Sequence, residues 1–155
     1  MDILSSFSLA GRTALVTGGA YGLGFAMARA LAGAGARVAF NCRSQENLNK
    51  ALADYAACGV DARGYLCDVT DETQVARLVE TIENDLGPID ILVNNAGVIR
   101  RVPMTEMSTE EFRQVVDIDL VGPFICAKAV IPGMADRGHG KIINICSMMS
   151  ELGRE

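Results

Sequence analysis

Residues 12–34 constrain the fold more than any other part of the chain. Residues 12–17 end in Ala14-Leu15-Val16-Thr17, a short apolar run that meets Gly18 and Gly19. Such a run, stopped by glycine, is the pattern of a buried parallel strand. Residues 25–34 are rich in Ala and Leu and therefore helical, and Gly33 and Gly35 mark the end. Between the two lies Thr17-Gly18-Gly19-Ala20-Tyr21-Gly22-Leu23-Gly24. Gly18 permits a tight turn, Gly22 lets backbone approach a pyrophosphate, and Gly24 lets helix and strand pack closely. The helix start offers unpaired N–H groups and partial positive charge to phosphate. A glycine turn can also be a ligand-free connection, but a strand before it and a helix after it favour nucleotide binding.

The same alternation runs through the rest of the chain. Strands are expected at residues 37–41, 62–66, 89–93 and 141–145. A helix is expected over 45–58, with Leu48, Leu52, Tyr55 and Ala56 on its inner face. Asp71 and Gln74 have capping-box spacing, and Val75, Leu78, Val79, Ile82 and Leu86 follow at helical intervals until Gly87-Pro88. Ser108 and Glu111 open a long helical stretch to about residue 136, which Gly122-Pro123 should kink. Five strands and four helical segments in alternation imply an α/β fold, a doubly wound parallel sheet with helices on both faces. Residues 1–155 read as a single dinucleotide-binding domain, with its ligand crevice beyond the carboxyl ends of the strands.

Composition excludes several functions. Net charge is −5, and Arg100-Arg101 is the one notable basic pair. Neither nucleic acid nor an anionic membrane is an expected partner. No apolar run reaches the ~20 residues of a membrane span. The first ten residues hold no Lys or Arg, so no signal peptide is expected. Five scattered cysteines without a CxxC spacing suggest reduced thiols and a cytoplasmic location. One histidine, His139, with no cysteines near it in sequence, gives no metal site.

Further motifs stand at the strand ends. Cys67-Asp68-Val69 follows the third strand, Asn94-Asn95-Ala96-Gly97 the fourth, and Ile143-Asn144-Ile145-Cys146-Ser147 the fifth. With Thr-Gly-x-x-x-Gly-x-Gly these resemble, in order and over the whole chain, the short-chain dehydrogenase/reductase family. The resemblance implies that Gly18, Tyr21, Gly22, Leu23 and Gly24 hold the cofactor's phosphates. Asp68 would accept a hydrogen bond from the adenine amino group, with Val69 beside the ring. Asn95, Ala96 and Gly97 would line the cofactor and brace the sheet. Ser147 would hold and polarise the substrate oxygen. Asp119 stands where the family usually has an asparagine that supports a proton relay. Aspartate can accept the same hydrogen bonds but cannot donate as the amide does.

Cofactor choice turns on the end of the second strand. NAD enzymes place a carboxylate there, about 20 residues past the glycines, to bind the ribose 2′-hydroxyl. Here the segment is Asn41-Cys42-Arg43-Ser44, without an acid. Arg43 and Ser44 suit a 2′-phosphate, so NADP(H) is preferred and NAD(H) remains open.

Residues 97–104, 112–120 and 138–155 resemble the branch of the family that oxidises the C5 hydroxyl of gluconate. The expected substrate is therefore a small sugar acid. Arg101, with Arg100 second, would meet its carboxylate, and Met148 and Glu151 would shape the pocket beside Ser147. Alternatives are another reductase of the family, such as one for 3-oxoacyl carrier proteins, or a nucleotide-binding module without catalysis. The family's Tyr-x-x-x-Lys pair would follow Ser147, and the last tyrosine and lysine here are Tyr65 and Lys141. The 155 residues alone are thus expected to be nearly inactive, with the fifth strand an exposed apolar edge. The family also implies a homo-oligomer, dimer or tetramer, for a full-length chain.

Overall fold

A computed structural model describes residues 3–148. The strands are β1 (Thr13–Val16), β2 (Arg37–Cys42), β3 (Ala62–Leu66), β4 (Ile89–Asn94) and β5 (Lys141–Asn144). They form one parallel sheet in the order β3-β2-β1-β4-β5. The order reverses between β1 and β4, because β1 is flanked by β2 on one side and β4 on the other. In such sheets the crossovers diverge to opposite faces there and leave a crevice at the strand ends.

The helices are α1 (Gly22–Gly33), α2 (Gln45–Ala57), α3 (Glu72–Leu86), α4 (Thr109–Val116) and α5 (Gly122–Asp136). Side-chain alternation along the central strands builds two cores. Ala14, Val16, Val38, Phe40, Ile91 and Val93 pack with Ala28 of α1 and with Leu48, Ala51 and Tyr55 of α2. Leu15, Ala39 and Leu92 turn to the other face, against Val75, Leu78 and Ile82 of α3 and Ile125, Val130 and Met134 of α5. This is the doubly wound arrangement that the alternation of patterns predicts.

Local details differ from the sequence reading. The inner face of α2 is Leu48, Ala51 and Tyr55, while Leu52 and Ala56 are exposed. The helix is rotated so that 48, 51 and 55 meet the sheet, and Leu52 lies over the open flank of the edge strand β3. The Ser108–Glu111 capping box is present in both directions. At α3 only half of one forms. Asp71 accepts from the Thr73 and Gln74 amides, but the Gln74 carbonyl oxygen accepts from the Asp68 N–H instead of the Asp71 backbone. The long helix does not simply kink. It passes through a π-helical turn at Asp117–Val121 before α5 begins with Pro123 in its first turn. Proline has no N–H to close the ordinary bond, and a wider turn absorbs the mismatch. A 3-10 turn at Ile3–Phe7 has no counterpart in the sequence reading. β5 is an edge strand among the described residues, with Ile143 and Ile145 exposed. No described helix is long and apolar enough to cross a membrane.

Candidate functional site: a crevice at the reversal of strand order

Thr17 organises the centre of the site. It follows β1 and is fully enclosed at 2% exposure. Its hydroxyl oxygen accepts from the backbone N–H groups of Asn95 and Ala96, both at 3.0 Å. The Asn95 amide then donates to the carbonyls of Thr17 (2.9 Å) and Gly18 (3.2 Å). The glycine loop after β1 and the loop after β4 are thereby laced into one surface. Tyr55 of α2 supports the loop from below, its hydroxyl donating to the Gly19 carbonyl at 2.7 Å. Burial pushes that phenol well above its ordinary value, so it stays a neutral donor.

Two glycines are required by geometry. Gly18 has φ +64°, and a Cβ on it would stand 2.9 Å from the Ala96 Cα. A Cβ on Gly24 would lie 2.5 Å from both the Gly18 carbonyl oxygen and the Asn95 amide nitrogen. The loop can close over the helix start only with hydrogen at both places.

Above this surface is a crevice of about 380 Å³. Gly18, Tyr21, Gly22, Leu23 and Gly24 form one wall. Arg43 and Ser44 close one end with Asn47 of α2. Asp68 and Val69 line it from β3, and Asn95, Ala96 and Gly97 from β4. Every residue expected to touch the cofactor thus faces one cavity. Thr17 and Asn47 were missed from sequence. The hydroxyl next to the first glycine was the available signal for Thr17, whereas Asn47 is brought in only by the first turn of α2.

The pocket polar groups are held firmly. One Asp68 oxygen accepts from the Thr70 N–H (3.0 Å) and hydroxyl (2.8 Å), and the other faces Arg43 at 3.9 Å. Val69 packs under the crevice against Gly122, where a Cβ would approach it to 2.9 Å. The Ser44 oxygen caps α2 by accepting from the Asn47 N–H, which leaves its own proton to donate. The pocket thiols are unreactive. Burial pushes Cys67 up to about 11, with Asp68 and Asp71 adding to it, and burial also raises Cys42.

The fit to a dinucleotide phosphate is good on these observations. The cradle excludes a Cβ, a helix N-terminus faces it, and the Arg43 donors stand next to the Asp68 acceptor, as a phosphate-bearing ribose joined to an adenine requires.

The family model for short chain dehydrogenase matches residues 12–155. The chain belongs to this family. It is 52% identical to the 2-dehydro-3-deoxy-D-gluconate 5-dehydrogenase of Formosa agariphila, over 96% of this chain and 56% of that one. It is 45% identical to the gluconate 5-dehydrogenase of Gluconobacter oxydans, over 96% and 58%. A solved gluconate 5-dehydrogenase from Burkholderia cenocepacia J2315, in complex with NADP and tartrate, superposes with a TM-score of 0.88 at 42% identity, covering 97% of this chain and 59% of that one. The chain therefore spans under three-fifths of the length of these relatives.

The residues expected on the substrate side are more open. Ser147 is exposed three residues past β5, at the carboxyl end of the sheet, and Met148 is exposed beside it. Glu151 lies outside the described residues. The Asp119 carboxylate sits in the π turn and accepts from the Val98 N–H at 2.8 Å, so it fastens the loop after Gly97. The two arginines have different surroundings. Arg100 donates to the Gln114 side chain of α4 at 2.8 Å, whereas Arg101 is exposed and makes no hydrogen bond or ion pair among the described residues. Neither lines the 380 Å³ crevice. None of the chain's tyrosines suits proton transfer at Ser147. Tyr55 is buried under Gly19, and Tyr21 stands in the glycine loop. Tyr65 donates to Asp85, and its phenol is raised to about 12 by burial first and then by Asp85.

Proposed function

We propose that the protein is an NADP(H)-dependent oxidoreductase that transfers hydride at C5 of a sugar acid, with gluconate and 5-keto-gluconate as its substrate pair. The observation that carries this reading is the crevice at the strand-order reversal, where a Cβ-free phosphate cradle, Asp68 and Arg43 face one cavity. NADP(H), when bound, supplies or accepts the hydride. The chain's own residues do the rest. The glycine loop and the start of α1 hold the pyrophosphate. Asp68 accepts from the adenine amino group, and Val69 packs beside the ring. Arg43 and Ser44 take the 2′-phosphate, with Asn47 at hand. The Arg43–Asp68 pair is half exposed and worth under ~1 kcal/mol, so it gives way to a phosphate. Ser147 orients the substrate oxygen, Asp119 fixes the loop opposite, and Arg101 meets the carboxylate.

A second substrate reading, 2-dehydro-3-deoxy-D-gluconate, is favoured by the 52% identity to the Formosa agariphila dehydrogenase of that name. Both compounds present a carboxylate and a reacting position at C5. Turnover of each by the complete gene product, followed as NADPH absorbance, decides between them. Turnover of acyl thioesters without either sugar acid contradicts the reading.

Cofactor choice has its own test. Arg43→Ala weakens NADPH binding by about tenfold to a hundredfold, the loss of one or two charge-assisted bonds to phosphate, and leaves NADH binding within about twofold. A titration showing equal losses for both cofactors excludes Arg43 from phosphate recognition.

A further inference from the structure

Asn94 ends β4 and is 4% exposed, yet it lines no part of the crevice. Its side-chain amide donates twice, to the Asn144 side-chain oxygen at 2.9 Å and to the Pro123 carbonyl at 3.3 Å. The Pro123 carbonyl can only accept, which fixes the nitrogen end of the Asn94 amide on that side. Asn144 is the last residue of β5 and the register partner of Asn94. The Ile145 N–H donates to the Asn94 carbonyl at 2.9 Å, and the chain then leaves the sheet for Ser147. Pro123 stands in the first turn of α5, directly after the π turn that carries Asp119.

One amide therefore joins three segments. These are the start of the Asn95-Ala96-Gly97 loop, the strand end that leads to Ser147, and the helix start behind Asp119. We propose that Asn94 is a positioning residue, which sets where Ser147 and Asp119 stand relative to the crevice. The proposal rests on the reading of Ser147 as the group that orients the substrate. Its chemistry is specific. Two acceptors on one side require an NH₂ group, which aspartate, leucine and serine cannot supply. The Asn94 side-chain oxygen is buried with no hydrogen-bond partner among the described residues. A leucine of similar volume would fill the same space without that orphan acceptor, so packing alone does not account for the asparagine.

The test uses the complete gene product and compares Asn94→Ala, Asn144→Ala and the double variant. Turnover, KM, NADPH affinity and amide exchange at residues 145–148 are measured for each. Both single variants are expected to lower kcat about tenfold or more, the effect of misplacing a reacting group by a fraction of an ångström. NADPH affinity should stay within about twofold, and exchange at residues 145–148 should rise about fivefold while residues 17–24 are unchanged. The double variant should be no worse than the poorer single variant, because both remove the same link. Should Asn94→Ala not fold, Asn144→Ala decides the matter, since it removes the same Asn94–Asn144 bond from the other side. Effects that multiply, or a kcat unchanged per folded molecule, overturn the proposal. Absence of wild-type turnover on either sugar acid overturns the proposed reaction instead. The amide-exchange result then still decides whether Asn94 positions the Ser147 segment.

Discussion

Asp90→Ala destabilises the fold by about 2–3 kcal/mol, the sum of a lost charged hydrogen bond and an orphaned buried amide. Asp90 lies at the opposite end of the sheet from the crevice. Its carboxylate is 11% exposed and accepts from the Thr13 N–H at 3.0 Å, and Thr13 is fully buried. The same carboxylate pairs with Arg12 at 3.2 Å and His139 at 3.0 Å. Those two side chains are about half exposed, so their pairing adds little beyond the amide bond. A chain of this size loses about 2–4 °C of melting temperature per kcal/mol, so thermal unfolding should show a drop of about 5–10 °C. A drop below about 2 °C contradicts the assignment. The acid limb follows from the same contacts. Burial alone would push the Asp90 carboxyl up, but the Thr13 N–H, His139 and Arg12 outweigh it and hold it below the usual range. A depressed folded-state value means that the stabilisation is present above the unfolded value, near 3.9, and is lost as pH falls through the folded value. Wild type and Asp90→Asn should therefore differ above about pH 5 and converge only below about pH 4.

Gly24→Ala abolishes most nucleotide affinity. The added Cβ meets the Gly18 carbonyl oxygen and the Asn95 amide at 2.5 Å and the Gly19 Cα at 3.0 Å. The Asn95 side chain could swing aside only by releasing the Thr17 and Gly18 carbonyls, and the Gly18 oxygen is backbone. The phosphate loop must therefore move off the start of α1. Overpacking of this kind costs about 1–3 kcal/mol, and a loop displaced from its phosphate should lose at least about tenfold in NADPH affinity. Fluorescence titration measures it. Gly33→Ala is the control, because nothing lies within 4 Å of its Cβ position at the end of α1. That change should leave affinity alone and stabilise by up to about 1 kcal/mol. Equal affinities for Gly24→Ala and wild type would show that the loop does not hold phosphate.

Much of the fold is legible in the residues, and for a physical reason. A parallel strand buried on both faces must be continuously apolar, as Ala14-Leu15-Val16 and Ile91-Leu92-Val93 are. Glycine where a Cβ cannot fit is equally visible, and so is a capping box such as Ser108 with Glu111. What is not legible depends on which side chain another element happens to meet. Gln74 has the spacing to cap its own helix but is taken by the Asp68 amide, because the loop after β3 passes within reach. Leu52 and Ala51 are neighbours that either rotation of α2 could bury, and it is Ala51 that joins the core while Leu52 is exposed. Pro123 announces a break in the long helix but not its form, a π turn that hands Asp119 to the Val98 amide. On the site, the strand-end motifs locate the crevice because the topology gathers the ends of β1, β2, β3 and β4 there. Arg100 and Arg101 look equivalent in sequence, and only the fold shows that Arg100 is held by Gln114 while Arg101 is exposed.

The crevice between the ends of β1 and β4 is proposed to receive NADP(H). Amide hydrogen exchange on the complete gene product, with and without NADPH, tests it most directly. Protection is expected in Gly18 to Gly24, in Arg43 to Asn47, and at Asp68 and Val69, with Arg43→Ala removing the second. Protection confined to other surfaces, or none at saturating NADPH, contradicts it.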